Sequence, residues 1–179
     1  SIHLKITPYY QWIKSNSPGG SSLNPASIYA GNQLQTVSTA GLFLLPNGNI
    51  PGKTNILQNQ HAYGVNTIAT FDVTPSSSLQ FGWWYDHFTM DQLNSFSPIS
   101  SGGNAPDWGA NPLLSTSGRV ITGANYTFRT NINALSVQYT QSMLDDKLKF
   151  EFGLKYFIYR LTGQNLVPGP QSGMQFSYE

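Results

Sequence analysis

The stretch that decides the fold reads Leu148-Lys149-Phe150-Glu151-Phe152-Gly153-Leu154-Lys155-Tyr156-Phe157-Ile158-Tyr159-Arg160. Leu148, Phe150, Phe152, Leu154, Tyr156 and Ile158 fall on even positions; Lys149, Glu151, Gly153 and Lys155 fall between them. A period of two is the geometry of a strand, whose successive side chains point to opposite faces. This strand is wholly apolar on one face and charged on the other.

The pattern recurs along the chain. Ile2, Leu4, Ile6, Pro8, Tyr10 and Trp12 alternate with His3, Lys5, Thr7, Tyr9 and Gln11. Val65, Thr67, Ala69, Phe71 and Val73 form another apolar row, opposite Asn66, Thr70 and Asp72. Leu79, Phe81, Trp83 and Tyr85 form a fourth, and Leu135, Val137 and Tyr139 a fifth. Val120–Phe128 is a weaker sixth, and Met174–Tyr178 begins one more. Helical spacing is not sustained anywhere.

Composition narrows the class. Of 179 residues only 9% are charged, against about 25% in ordinary soluble domains. Aromatics reach 13%, which excludes the usual composition of a disordered chain. A net charge of +1 gives no basic footprint for nucleic acid. With no cysteine there is neither a disulfide framework nor a thiolate metal site. No apolar run approaches the ~18 residues of a transmembrane helix.

The connections are unequal. Thr74-Pro75-Ser76-Ser77-Ser78 and Leu144-Asp145-Asp146-Lys147 read as short turns, rich in residues that preset φ or cap backbone groups. Residues 14–60 and 88–118 read as long polar loops. Short turns on one side and long loops on the other are the habit of outer-membrane barrels, whose strands need about 9–11 residues to cross. Tyr9, Tyr10 and Trp12, then Trp83, Trp84 and Tyr85, then Tyr156, Phe157 and Tyr159 sit where strands are expected to end, as interfacial girdles do. The expected fold is all-β: an antiparallel up-and-down meander forming a transmembrane β-barrel segment, with long extracellular loops and short periplasmic turns. Residues 1–179 are read as part of one barrel domain. Both ends read as cut inside strands.

Three stretches resemble TonB-dependent outer-membrane receptors. Tyr63-Gly64-Val65-Asn66 through Thr74-Pro75, returning as Ser78-Leu79-Gln80-Phe81-Gly82-Trp83-Trp84-Tyr85, is similar to a barrel hairpin of that family. So is Asn133-Ala134-Leu135-Ser136-Val137-Gln138-Tyr139 followed by Leu144-Asp145-Asp146-Lys147-Leu148 through Tyr156. Lys5-Ile6-Thr7-Pro8-Tyr9-Tyr10 is similar to a strand that precedes a large loop in some members. These stretches cover under half of the chain. Asn66 stands where Glu is common, and Glu179 is not the aromatic end of a complete barrel. The resemblance implies a barrel of about 22 strands around a plug domain. It also implies ligand capture by surface loops, energy supplied by TonB, and a bacterial outer-membrane location. No plug-like region or TonB box lies in this chain, which would supply wall and loops for uptake of a scarce nutrient such as an iron-siderophore.

Candidate sites are few. Trp108 and Asp107 lie in a loop where no strand pattern would bury the ring, and His87, beside Asp86, is expected at a loop base; these three are the ligand candidates. Lys149, Glu151 and Lys155 are expected to face the lumen. No G-x-S-x-G elbow or nucleophile–base arrangement is present, so no catalytic residue, metal site or cofactor is assigned and an enzyme is not expected. The expected partners are outer-membrane lipid, TonB and a plug domain through other parts of the protein, and a small nutrient, with no nucleic acid. The competing readings are a passive porin or small barrel, and a soluble β-sandwich serving adhesion or binding.

Overall fold

The computed structural model describes residues 1–30, 33–104, 107–145, 147–167 and 175–178. Its strands are β1 (Ile2–Leu23), β2 (Ile28–Ala30), β3 (Gln33–Gln35), β4 (Ile50–Thr74), β5 (Ser77–Pro98), β6 (Thr122–Met143), β7 (Leu148–Asn165) and β8 (Gln175–Tyr178). Six of them form one antiparallel sheet in the order β1-β4-β5-β6-β7-β8, and β2 and β3 form a separate small hairpin. The protein is therefore all-β, an up-and-down sheet. Among the described residues the only helical element is a 3-10 turn, Asp107–Gly109. The sheet is not closed, since β1 and β8 each have one neighbour.

Tight turns set the register. Thr74 pairs with Ser77 across Pro75 and Ser76, with the Thr74 and Ser77 hydroxyls 2.7 Å apart. On the next strand, Ser142 N–H donates to the Ser76 carbonyl at 2.7 Å and clasps the turn. Leu144 and Asp145, both at φ 55, make the β6–β7 turn, and Lys147 N–H donates to the Leu144 carbonyl. Asp146 and Met174 lie outside the described residues.

The strands are longer than alternation alone indicates. β4 runs for 25 residues and β1, β5 and β6 for 22 each. Much of what reads as long loop, residues 14–60 and 88–118, is paired strand. β1 continues to Leu23, β4 begins at Ile50, and β5 continues to Pro98. The weaker segment Val120–Phe128, from Thr122 onward, and the row Leu135–Tyr139 belong to the single strand β6. The reason is that ladder hydrogen bonds join backbone groups and do not require apolar alternation. Ser, Asn, Gln and Gly can fill a strand whose two faces both meet polar surroundings. The aromatic clusters that read as strand ends consequently lie mid-strand.

The dry core is not in the sheet's middle. Ile28, Ile50, Phe96, Leu113 and Ile121 form it, with Leu23, Val37 and Leu42 packed against them, and Ile50 is 0% exposed. These residues come from strand ends and the two connecting loops. Leu113 N–H donates to the Phe96 carbonyl at 2.7 Å, and Thr116 N–H to the Thr36 carbonyl at 2.8 Å, so the loops are sewn to each other and to β5.

One glycine is required by close approach. Tyr9 pairs with Gly64, and a Cβ there would run into the Tyr85 carbonyl and the Tyr9 ring. Gly64→Ala should lower unfolding stability by about 1–3 kcal/mol through this overpacking. Gly20→Ala, with open space around it, should change it by less than about 0.5 kcal/mol. Denaturant midpoints of the two variants check the contrast.

Candidate functional site: two sheet faces and a loop-end cleft

Cross-strand register converts the apolar alternations into continuous rows. Ile2, Phe71, Leu79, Tyr139 and Phe152 stand side by side on β1, β4, β5, β6 and β7. The next rows are Leu4–Ala69–Phe81–Val137–Leu154, Ile6–Thr67–Trp83–Leu135–Tyr156 and Pro8–Val65–Tyr85–Asn133–Ile158. Most of these large side chains are exposed, Phe152 at 70%. Above them runs a belt of rings and cations. Its rows are Tyr10–Tyr63–His87–Asn131–Arg160 and Trp12–His61–Thr89–Arg129–Thr162. Within the belt Trp12 stacks on His61 (centroids 6.1 Å, 14°), and Tyr10 Oη is hydrogen-bonded to His61 Nδ1 at 3.0 Å.

His87 belongs to this belt and not to a loop base. It lies inside β5, its Nδ1 donating to Asn131 Oδ1 at 2.7 Å and its ring 4.8 Å from that of Tyr63. The expected loop position is corrected because β5 stays paired as far as Pro98.

The opposite face is polar and partly self-paired. Lys149 and Glu151 share it and form an ion pair at 2.7 Å. Lys155, on the same face, places its ammonium 4.7 Å from the Phe157 ring centroid and 5.7 Å from that of Trp84. Trp84 Nε1 donates to Tyr9 Oη at 2.9 Å, and Tyr9 Oη donates to Asp86. The sequence carries no local sign of the Tyr9–Trp84–Asp86 network. Its members are 75 and 77 residues apart in the chain, and only the pairing of β1 with β4 and β4 with β5 brings them together.

At the loop end, the residue that follows Trp108 and Gly109 is held through one buried amide. Asn55 is 0% exposed; it accepts from Asn16 Nδ2 at 3.2 Å and donates to Ser97 Oγ at 3.1 Å. Ser97 Oγ donates to the Ala110 carbonyl at 3.1 Å. This chain of bonds fastens the 3-10 turn over the sheet. Trp108 sits at φ 53 and is 62% exposed, beside a cleft of about 500 Å³. Lys14, Leu57, Asn59, Asp91, Leu93 and Asn125 line the cleft with it, and by register they share the parity of the apolar rows. The Asp107 side chain lies outside the described residues. Trp108 is thus brought together with Lys14 and Asp91, and not with His87, Lys149, Glu151 or Lys155.

No protein-family model, no curated protein and no solved structure matches the chain.

Asn55→Ala removes the central amide and leaves its partners buried without it. It should lower stability by about 1–3 kcal/mol and speed proteolysis between residues 99 and 121. Trp108→Ala, an exposed truncation, should change stability by less than about 0.5 kcal/mol. Unfolding midpoints and limited-proteolysis rates distinguish the two.

Proposed function

We propose that this chain is wall and surface-loop structure of a transmembrane β-barrel in a bacterial outer membrane, in a TonB-dependent receptor that takes up a scarce nutrient such as an iron-siderophore. The observation that carries the membrane part is the set of largely apolar and mostly exposed rows that run across five strands, with an aromatic belt above them. From Leu148 to Ile158 the apolar positions of β7 span eleven residues, about 33 Å along the strand. Tilted by about 40°, that spans the roughly 25 Å of a barrel's lipid-facing band. A soluble sandwich would bury such rows against a second sheet. In the described residues the face is open.

The receptor part rests on the hairpin resemblance and on the polar character of the other face. In this reading Lys149, Glu151 and Lys155 face the lumen, where charges pair with one another or with a plug. A gating role for Lys155 and a ligand contact at Trp108 belong to the same reading.

The test is alternation of environment in the full-length protein. Leu154→Cys, labelled with a fluorophore, should be quenched by acyl-chain nitroxides, and Lys155→Cys should react with aqueous reagents only. Equal behaviour at the two positions would remove the membrane reading. Leu154→Arg should destabilise the inserted protein by about 2–4 kcal/mol. Receptor and porin separate by energy: uptake of a ferric chelate should stop when the inner-membrane proton gradient is collapsed, whereas a porin would continue. In that assay Lys155→Ala with unchanged uptake and unchanged stability would eliminate gating by this residue.

A further inference from the structure

Above the apolar rows, the outward parity carries its cations on one side only. Lys14, Arg129 and Arg160 lie there together with His61 and His87. At the other end of the same face the positions are Ser77, Gln141, Phe150, Met143 and Leu148, with no cation. Arg129 and Arg160 are diagonal neighbours, because Arg160 pairs with Asn131 and Arg129 pairs with Thr162. That diagonal sets their Cβ atoms roughly 7–8 Å apart, close enough for two like charges to repel.

Between and above them is a polar pocket of about 480 Å³. Arg129, Arg160, Thr127, Thr162, Gln164 and Ser177 line it, and register gives all six the same face. Both arginines are exposed; among the described residues no carboxylate lines the pocket, and Asp91, which pairs with the lining residue Thr127, stands diagonal to Arg129 on the same face. Arg160 also has an interaction of its own within the chain. Two guanidiniums with hydroxyls and an amide at this spacing are a donor set for an oxyanion with several oxygens, and Arg forks favour phosphate. Directly below on β7 stand Ile158 and Tyr156 of the apolar face. A ligand held here would thus have its anionic end in the pocket and its apolar end along the rows.

We propose that the Arg129–Arg160 pocket binds the phosphomonoester headgroup of an anionic lipid in the surrounding membrane. The inference rests on the membrane reading above and extends it to a specific lipid contact on the outer wall. It commits to a lipid and not to free phosphate, because the pocket is continuous with the apolar band.

The experiment is native mass spectrometry of the full-length protein released from micelles containing bisphosphorylated lipid A, or the same lipid with its phosphates removed. The wild type should retain the phosphorylated form and not the dephosphorylated one. The Arg129→Gln, Arg160→Gln double variant should bind it about a hundredfold more weakly, because it lacks both charge-assisted hydrogen-bond donors. Lys147→Gln, in the β6–β7 turn at the opposite end of the sheet, should retain it. Unchanged heat-modifiable migration on gels shows that the double variant is folded. If that variant is misfolded, Arg129→Gln alone, folded, should still weaken retention at least about tenfold. Equal retention by folded variants and wild type would overturn the site, as would equal retention of the dephosphorylated lipid. Displacement by millimolar inorganic phosphate would make it a general anion site and overturn the lipid assignment. Nitroxide quenching at Leu154→Cys in the same preparation separates the failures: quenching with no lipid retention removes only the headgroup site, and absence of quenching removes the membrane reading beneath it.

Discussion

The structure depends on the register of the β4–β5 ladder. The two strands are locked at the Thr74–Ser77 turn and remain in step from Asp72–Ser78 to Gly52–Pro98. Because side chains alternate with a period of two, a slip of one residue would send Phe81, Trp83 and Tyr85 to the face of Trp84 and Asp86. It would also break the Tyr9–Asp86 and Trp84–Tyr9 hydrogen bonds, which need both β1–β4 and β4–β5 pairing. The apolar rows, the belt above them and the polar network are three consequences of one alignment.

That alignment leaves the sheet without a core of its own. Its apolar face is exposed, and the tightly buried residues gather at the loop end around Ile50 and Phe96. The loops are anchored by apolar packing on one side and by the Asn16–Asn55–Ser97 hydrogen bonds on the other. A fully buried amide is tolerable there because each neighbour returns a hydrogen bond and completes the path to the Ala110 carbonyl. The lipid proposed for the open face would do for the sheet what the loops do for their own core.

Some of this is legible residue by residue. The alternation of Leu148–Ile158 places its apolar face correctly, and so does that of Ile2–Trp12, because a strand's face assignment is local. The Thr74–Ser78 turn is legible from Pro and hydroxyls. The extent of β1, β4 and β5 is not, since their far halves carry no alternation and are held by backbone pairing. His87 reads as a loop residue for the same reason. Trp108 lies outside every strand, as its surroundings in the sequence indicate, but its companions Lys14 and Asp91 are far away in the chain and carry no local sign of the meeting.

The sequence by itself determined that the chain makes antiparallel strands with one apolar and one polar face, because two-residue alternation is a property of each strand alone. Only the tertiary structure decided how far each strand runs, which residues stand in one row, and that Tyr9 meets Asp86 or Arg129 meets Arg160. Those outcomes depend on ladder hydrogen bonds between peptide groups, which are the same for every residue type except proline. The sequence therefore records them only indirectly, through the turns that fix where each ladder starts.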